Sequence, residues 1–421
     1  MVVAASLLTP VPSIAAGPAL SATAKLAPLR VDAARIDRTL KSFVSDGRAV
    51  GVSALVWRDG AEAYFGATGH ADREAGRAMG RDALVQIYSM TKPVTGVALM
   101  RLWEQGRFGL DEPLAKYLPE FGAVRVYAGK DASGAPVLRA PVRPISVRDI
   151  LRHTAGFGYG WGDTPADDAF RAQDPLALGN DLPEMGRRLA RVPLLFDPGS
   201  RWHYSASVDV QALLVEKLSG EPFEAHVRRH IFEPLRMRRT GWTQPAASLP
   251  KLATTYVRGS DGRLAREPDG KTRALNFGPR RLTMGGSGIA STIDDYGRFA
   301  RMLLGGGTLD GVRILKASTI ALMASDQLDP SIRERHILPD KGGVGFGFDL
   351  AVRVARPKDA AENRGAISEF FWDGYQSTLF WVDPANRMTV VFFTQTVPYD
   401  GTLHRDIRRA VYGADYVGPA E

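Results

Sequence analysis

The sequence predicts an α/β protein of the α+β type, in which both ends of the chain build one antiparallel sheet flanked by helices. Two observations lead to this fold class. A helix pattern and a hairpin pattern open the chain, and a hairpin pattern and a helix pattern close it. Between them the sequence is rich in proline, glycine and arginine, with scattered helical patterns. We therefore assign residues 31–110 and 270–421 to an α/β domain and residues 111–269 to a mostly helical domain, with the functional site between them.

The opening elements follow from the spacing of apolar residues. Over 32–44 apolar side chains recur at helical spacing, with Asp32 placed to cap the helix and Gly47 placed after its end. Residues 50–57 and 61–67 are rich in β-forming side chains. Asp59 and Gly60 between these runs predict a β-hairpin, because this pair suits a tight turn.

The remaining elements are predicted in the same way. A helix should run from about Ser89 to Gln105, because Pro93 is tolerated only in a first helical turn and Gly106 follows the pattern. Further helices are predicted over 208–218, 296–304 and 400–412. Strands at 376–382 and 387–396 flank a turn at 383–386.

Composition narrows the class of protein. Of the 421 residues, 44% are hydrophobic and 24% are charged, as in soluble globular proteins. The chain has no cysteine, which removes disulfides, thiolate nucleophiles and cysteine–zinc sites, and we expect neither a metal nor a cofactor. No apolar stretch is long enough to predict a membrane span. The net charge of +8 arises from scattered basic residues, which favours solvated faces over a nucleic-acid site.

Residues 1–30 are interpreted as a lead-in outside the fold. They are apolar and rich in small residues, and the run Ser-Ile-Ala at 13–15 resembles a signal-peptidase site. Prolines interrupt the apolar run, and no basic residue precedes it, as a complete signal peptide requires. We expect either a disordered lead-in or a remnant signal segment. The protein would be periplasmic or secreted in the second case and cytoplasmic otherwise.

The run Ser-Met-Thr-Lys at 89–92 is the first candidate for chemistry. Side chains three residues apart on a helix share a face, so Lys92 can act as a base for Ser89 if burial destabilises its ammonium. The helix start adds backbone N–H groups for an oxyanion. Spacing alone indicates little, because Ser248 and Lys251 repeat it in a proline-containing loop. On spacing alone, Ser89 is better interpreted as a helix N-cap and Lys92 as a surface residue.

Four further motifs change that interpretation. The run at 87–92 is followed by Ile-Leu-Arg-His-Thr-Ala-Gly-Phe at 150–157 and by Phe-Asp-Pro-Gly-Ser-Arg-Trp-His-Tyr-Ser at 196–205. Gly-Gly-Ser-Gly-Ile-Ala-Ser-Thr at 285–292 and Phe-Trp-Asp-Gly at 371–374 come next. With these motifs, residues 31 to 412 resemble the serine β-lactamase and penicillin-binding-protein superfamily, and most closely the family VIII carboxylesterases. The resemblance implies a β-lactamase/transpeptidase-like fold.

The resemblance also implies roles for individual residues. Ser89 would be the acylated nucleophile, and Tyr204 matches the tyrosine of the second motif. The phenolate of Tyr204, or the pair of Tyr204 and Lys92, would take the serine proton and later protonate the leaving alcohol. The backbone N–H groups of Ser89 and Tyr375 would form the oxyanion hole, beside a third motif at 372–374 that is expected at the start of a strand.

The third and second motifs depart from the superfamily pattern in ways that favour esters over β-lactams. Where β-lactamases commonly have Lys-Thr-Gly, Trp372 cannot pair with a β-lactam carboxylate, while Gly374 would still allow close approach of substrate. Ser205 and Ala206 follow the catalytic tyrosine without the asparagine that helps to bind an acyl amide. Asp373 is unusual beside an oxyanion hole. We expect its side chain to face the surface, and the alternative is a preference for cationic substrates.

Three aromatic residues and a histidine complete the candidates. Phe157, Tyr159 and Trp161 are candidate lining residues of an acyl pocket, although packing on the helical region is an equally good interpretation. His153 is interpreted as a packing or hydrogen-bonding residue, because the chain has no Gly-x-Ser-x-Gly elbow of a Ser-His-Asp hydrolase. The glycines at 285–288 fit no phosphate-loop pattern and predict a tight loop.

Several functions stay open at this point. The first is a serine carboxylesterase that hydrolyses short-chain acyl esters through an acyl-Ser89 intermediate, with a small-molecule ester as its partner. The alternatives within the superfamily are a β-lactamase, a D-amino-acid peptidase and a transacylase. The non-enzymatic alternative is a binding protein that kept the fold and lost the chemistry.

Overall fold

The computed structural model describes residues 29–332, 344–354, 368–413 and 416. The predicted lead-in at 1–30 therefore lies outside the described residues, apart from its last two positions. Within these ranges, no helix is long and apolar enough to cross a bilayer. The α-helices, numbered α1 to α11 in chain order, are Ala33–Ser45, Lys92–Glu104, Val147–Leu151, Pro165–Gln173, Leu182–Leu189, Ser207–Ser219, Phe223–Val227, Asp269–Phe277, Ile293–Leu304, Ala317–Met323 and Gly401–Tyr412.

Shorter helical turns and the strands complete the described elements. Three of the shorter helical turns are named below: the 3₁₀ turns Tyr88–Thr91 and Ala246–Lys251 and the π turn Arg228–Phe232. The strands, numbered β1 to β17, are Gly51–Arg58, Ala61–Asp72, Arg77–Ala78, Val85–Gln86, Val126–Lys130, Pro136–Arg139, Tyr256–Arg258, Leu264–Arg266, Ala290–Ser291, Thr308–Leu309, Val312–Arg313, Val344–Phe346, Ala351–Arg353, Phe370–Asp373, Leu379–Asp383, Met388–Thr394 and Thr396–Val397.

The main sheet joins the two ends of the chain, which confirms the predicted fold class. Its strand order is β12-β13-β14-β15-β16-β1-β2-β3, and every pair is antiparallel. The junction between the ends is the pairing of β1 with β16, in which Val56 lies opposite Val390. The predicted hairpin of β1 and β2 is present. Asp59 and Gly60 have φ values of 52° and 84°, as a tight hairpin turn with two positive φ angles requires.

Two layers cover the sheet because its central strands are apolar on both faces. Side chains alternate along a strand, so Val390 and Phe392 of β16 point to one side while Val391 and Phe393 point to the other. The first side packs against α1 and α11, the terminal helices. The second packs against α9 and belongs to a larger apolar cluster that also contains α2 and α6. The site lies in this second layer.

The middle of the chain packs around α2. Helix α6 makes the main contact with α2, and α3 and α5 pack on α6. This region also contains the short strands β5 to β8, which pair in small sheets that the sequence analysis did not predict. The proposed domain boundaries near residues 110 and 270 stay a prediction.

The structure corrects two boundaries next to the site. Helix α2 begins at Lys92, and Ser89 lies in the 3₁₀ turn ahead of it rather than in the helix itself. The third motif was expected at a strand start, but β14 ends at Asp373 and Gly374 begins a turn. The reason is the tight connection to β15, in which Ser377 N–H donates to the Gly374 carbonyl and Ser377 has a φ of 62°.

Candidate active site

Ser89 and Lys92 meet because the chain turns tightly ahead of α2. In a 3₁₀ turn, side chains three residues apart are eclipsed. Lys92 Nζ lies 3.2 Å from Ser89 Oγ. Tyr88, just before the serine, has a φ of 43°, a left-handed conformation that is uncommon for a residue with a side chain. Such conformations concentrate at functional sites, where the surrounding structure holds them.

Burial changes the acid–base chemistry of Lys92. Its side chain is 1% exposed, and Nζ donates a 2.8 Å hydrogen bond to the carbonyl of Gly286. Desolvation lowers the pKa of Lys92 to about 8, although the nearby carboxylates of Asp209 and Asp349 oppose this shift. At pH 7, Lys92 is therefore a neutral amine in roughly one tenth of the protein molecules. The neutral amine is the form that can accept a proton from the serine.

The glycine-rich loop at 285–288 is the tight loop that the sequence predicts, and it completes the surroundings of Lys92. A side chain at Gly285 would collide with the backbone of α6, and one at Gly286 would come within 2.9 Å of Asp209 Oδ2. Without side chains, the loop lies directly against α6. Gly286 can then accept from Lys92 while its N–H donates a 3.1 Å hydrogen bond to Asp209.

Tyr204 reaches the serine from the loop before α6. Its hydroxyl donates a 2.6 Å hydrogen bond to Ser89 Oγ, and Lys92 Nζ lies 4.5 Å from the centre of its ring. Burial raises the pKa of Tyr204 above its ordinary value, so the phenol is the resting form. Of the two bases that the resemblance implied, this geometry favours the Tyr204–Lys92 pair over a phenolate acting alone.

The two candidate oxyanion donors lie where β14 meets the nucleophile's turn. In the described part of the chain, neither the N–H of Ser89 nor that of Tyr375 donates to another backbone carbonyl. A side chain at Gly374 would collide with the carbonyl of Ile87 and the hydroxyl of Thr378. Gly374 therefore lets the end of β14 pack directly against the backbone that precedes the serine.

A cavity of about 480 Å³ opens over Ser89, and nine of its nineteen lining residues are aromatic. Phe157 does not line it. This ring is 2% exposed and packs edge-on against Phe121, so the packing interpretation holds for Phe157. The predicted substrate-binding residues that do line the cavity are Tyr159, Trp161, Trp372, Asp373 and Gly374.

Asp373 does not face away from the site, and the favoured expectation for its side chain is wrong. Side chains alternate along β14, which places Asp373 on the same face as Phe371, and both residues line the cavity. The Tyr399 hydroxyl donates a 2.9 Å hydrogen bond to Asp373 Oδ2, and His404 Nδ1 lies 3.8 Å from the same oxygen. Burial raises the pKa of Asp373 above its ordinary value.

His153 supports the site without touching the serine. Its Nδ1 accepts a 3.3 Å hydrogen bond from the backbone N–H of Ser205, and its ring lies 5.2 Å from that of Tyr204 and parallel to that of Trp372. Burial lowers the pKa of His153 well below its ordinary value, so the ring is neutral. This arrangement fits the packing role assigned to His153 from the sequence.

Three residues of the site were missed by the sequence analysis. Asp349 lies in the loop before β13, and Gln211 of α6 donates a 3.0 Å hydrogen bond to its Oδ1. Tyr399 lies ahead of α11, and no local pattern marks either residue. Asp209 carried one usable signal, because it is an acidic residue on a helix whose neighbouring positions are apolar, five residues after Tyr204.

A cluster that could hold a metal ion lies apart from the serine. Glu221 Oε2 is 3.1 Å from His226 Nδ1 and 3.7 Å from His230 Nε2. No metal ligand was predicted from the sequence, and in the structure α7 and the π turn after it bring His226 and His230 together. None of the three residues lines the cavity over Ser89.

Comparison with known proteins identifies the family. The model of the β-lactamase family matches residues 36–414. The chain belongs to this family. Esterase EstB of Burkholderia gladioli is 32% identical over 400 residues, which span 90% of this chain and 95% of that protein.

Solved structures agree with this assignment. EstCE1, described as a hydrolase with promiscuous acyltransferase activity, matches with a TM-score of 0.75 at 28% identity, over 90% of this chain and 98% of that one. Simvastatin synthase LovD from Aspergillus terreus shares the fold, with a TM-score of 0.76 at 24% identity over 90% of this chain and 96% of that one. These relatives confirm the resemblance to the serine β-lactamase-like superfamily and its family VIII esterases. The chain is therefore an enzyme, a serine hydrolase or acyltransferase of the β-lactamase fold.

Proposed function

We propose that this protein is a serine carboxylesterase that hydrolyses short-chain acyl esters through an acyl-Ser89 intermediate. The observation that carries the proposal is the hydrogen-bonded group of Ser89, Lys92 and Tyr204 under an aromatic cavity. As an amine, Lys92 can accept the Ser89 proton while it donates to Gly286. Tyr204 donates to Ser89 Oγ at the same time, so each polar atom of the group has a partner of the right kind.

The first half of the reaction acylates the serine. Ser89 Oγ passes its proton to Lys92 and attacks the carbonyl carbon of the ester. The carbonyl oxygen gains negative charge, which the N–H groups of Ser89 and Tyr375 stabilise. The bond from carbon to the alcohol oxygen then breaks, and that oxygen takes the proton of Tyr204. The Lys92 ammonium returns a proton to Tyr204.

The second half repeats these steps with water. Water attacks the acyl carbon and passes a proton to the Tyr204–Lys92 pair. The bond from the acyl carbon to Ser89 Oγ then breaks, the pair returns that proton to Ser89 Oγ, and the acid leaves. Acyl transfer differs only in the acceptor, because an alcohol in place of water gives a new ester.

The polar groups around the cavity favour esters over β-lactams. Trp372 is uncharged and stacks on His153, so it offers no positive charge to pair with a carboxylate. Ser205 is buried, and its hydroxyl shares a 2.8 Å hydrogen bond with Ser207, so it offers nothing to an acyl amide. A cavity of about 480 Å³ suits a small substrate. We expect nitrocefin turnover to be far slower than hydrolysis of p-nitrophenyl butyrate.

Trapping of the acyl-enzyme tests the proposal. The protein is mixed with p-nitrophenyl butyrate, quenched in acid and analysed by intact mass and peptide mapping. The expected result is one butyryl group on Ser89, with none on Ser89→Ala protein and normal labelling of Ser248→Ala protein. Turnover by the Ser89→Ala variant, or an acyl group on another residue, would contradict the mechanism. Added butanol separates hydrolysis from transfer, because transfer gives butyl butyrate.

A further inference from the structure

One wall of the cavity carries a carboxylate. We call it the Asp373 wall, and it consists of Phe371, Asp373, Tyr375 and Tyr399, all of which line the cavity over Ser89. Asp373 is 36% exposed in its side chain, so one of its oxygens is open to a bound molecule while the other accepts from Tyr399. The mechanism proposed above uses neither Asp373 nor Tyr399.

Two carboxylates that the fold encloses have arginine partners, whereas the cationic side chain nearest to Asp373 in the described residues is His404, at 3.8 Å. Asp149 is fully buried and pairs with Arg143 at 2.6 Å, and Glu369 is fully buried and pairs with Arg408. In the described ranges, no lysine or arginine forms an ion pair with Asp373. A carboxylate withdrawn from water is costly unless a cation compensates it. The structure thus leaves a position in the cavity that a cation from solution can fill.

The rest of the cavity suits a weakly hydrated cation. Aromatic rings carry negative charge on their faces and attract ammonium groups, best of all quaternary ones. The rings of Tyr88 and Tyr375 lie 5.7 Å apart, and those of Tyr159 and Trp161, which also line the cavity, stack at 4.7 Å. Trp161 and Tyr375 are 64% and 56% exposed, so the cavity is open to solution on this side.

We propose that the Asp373 wall binds the ammonium group of cationic esters, and that these are the preferred substrates of the enzyme. This inference rests on the proposed esterase function and adds a substrate class to it. The cation can belong to the alcohol part, as in a choline ester, or to the acyl part, as in an ester of a trimethylammonio acid. Both present the same group to Asp373.

The preference should appear in kcat/KM. Asp373 is two residues before Tyr375, whose N–H is the second candidate oxyanion donor. A negative charge at this position opposes the negative charge that develops on the carbonyl oxygen. A substrate cation on Asp373 removes that opposition, while a neutral ester leaves it in place. The carboxylate therefore favours cationic esters and slows neutral ones.

Matched substrates test the inference. For the alcohol part, butyrylthiocholine is compared with S-(3,3-dimethylbutyl) thiobutyrate, in which carbon replaces the nitrogen. For the acyl part, p-nitrophenyl 4-(trimethylammonio)butanoate is compared with p-nitrophenyl 5,5-dimethylhexanoate. The chain has no cysteine, so thiol release can be followed with a disulfide reagent without background from the protein. We expect kcat/KM to favour the cationic member at least tenfold in one pair, and that pair identifies the part that carries the cation.

The variant Asp373→Asn should remove this preference, so that kcat/KM for the cationic member of the preferred pair falls to about that of its neutral partner. Asp111→Asn is the matched control, because it changes the charge equally at a 76% exposed position outside the cavity. Tetramethylammonium should also inhibit the unmodified enzyme competitively, more strongly than sodium at equal ionic strength. Equal kcat/KM within both pairs, or a preference that survives in Asp373→Asn, would overturn the inference. If neutral esters are still hydrolysed through Ser89, the proposed function stands without it, whereas loss of all ester hydrolysis removes both.

Discussion

The same four-residue spacing of serine and lysine occurs twice in this chain with opposite results. Ser89 lies in the 3₁₀ turn that leads into α2, Lys92 is the first residue of α2, and their side chains meet at 3.2 Å under the cavity. Ser248 and Lys251 also lie in a 3₁₀ turn, yet Lys251 is 53% exposed and pairs with Asp82 at 2.5 Å. Local backbone geometry is therefore similar, and it does not decide which pair can react.

The difference between the two pairs is in their surroundings. Lys92 is enclosed by α6 and the loop at 285–288, which removes water and lowers its pKa to about 8. Lys251 lies on the surface, where water and a carboxylate stabilise its charge. A lysine becomes a base only where the fold makes its ammonium unfavourable, and that property comes from residues far away in the sequence.

The largest difference in kcat/KM between the two pairs is expected when each serine is replaced by alanine. Ser89→Ala removes the nucleophile, and we expect kcat/KM for p-nitrophenyl butyrate to fall at least about a thousand-fold. Ser248→Ala should leave it within about twofold. Steady-state kinetics of the two variants measures this contrast, with circular dichroism as the check on folding. A comparable loss in both would mean that Ser89 is needed for structure rather than for chemistry.

The next largest difference, in kcat, is expected when each lysine is replaced by methionine. Lys92→Met keeps the length of the side chain but removes the base, so kcat should fall about a thousand-fold. Lys251→Met should leave kcat unchanged. The measurement is kcat at saturating p-nitrophenyl butyrate, at a pH well above 8. Retention of activity by Lys92→Met would assign the base to Tyr204 alone.

The two serine–lysine pairs also differ in a tyrosine. The Tyr204 hydroxyl donates to Ser89, whereas the described hydrogen bonds of Ser248 involve no tyrosine. Tyr204→Phe should slow esters whose alcohol needs a proton to leave, such as ethyl butyrate, by about a hundred-fold. The p-nitrophenyl ester should be affected less, because p-nitrophenolate leaves without a proton. The ratio of the two kcat/KM values measures the effect. An equal loss for both esters would place the role of Tyr204 in the attack by Ser89 instead.

The pH dependence should report the pKa of Lys92. The neutral amine is the active form, so kcat/KM should rise about tenfold per pH unit below pH 8 and level off above it. Asp209 raises this pKa, so Asp209→Asn should move the rise to lower pH by roughly half a unit or more, while Asp111→Asn leaves it in place. A rise that does not move in Asp209→Asn would show that another group titrates.

The sequence could predict the parts of the fold that rest on local periodicity. The terminal helices, the hairpin at Asp59 and Gly60, and the strands β15 and β16 follow from apolar spacing and turn residues. Strands β5 to β8 are three to five residues long, which is too short for an alternating pattern to stand out. The third motif was placed at the wrong end of its strand because Gly374 suits a turn and a strand start equally well.

The residues of the site also fall into those that the sequence could predict and those that it could not. Ser89, Lys92 and Tyr204 were proposed because each lies in a motif of a known family. Tertiary packing brings Tyr399 to the cavity and Asp349 close to Lys92, and no single motif encodes either position. Asp373 was assigned to the surface because the sequence does not show that Phe371 and Asp373 face a cavity and not solvent.

The smallest expected effect belongs to the surface pair. The ion pair of Lys251 and Asp82 joins two side chains that are each 53% exposed, so solvent screens most of its attraction. Lys251→Met should lower the free energy of unfolding by at most about 1 kcal/mol, measured by urea denaturation, and the loss should shrink in high salt. A larger loss would show that this Ser-x-x-Lys turn stabilises the fold, because Leu252, the next residue, packs with Leu84 ahead of the nucleophile. The two pairs would then differ in kind, one serving chemistry and the other structure.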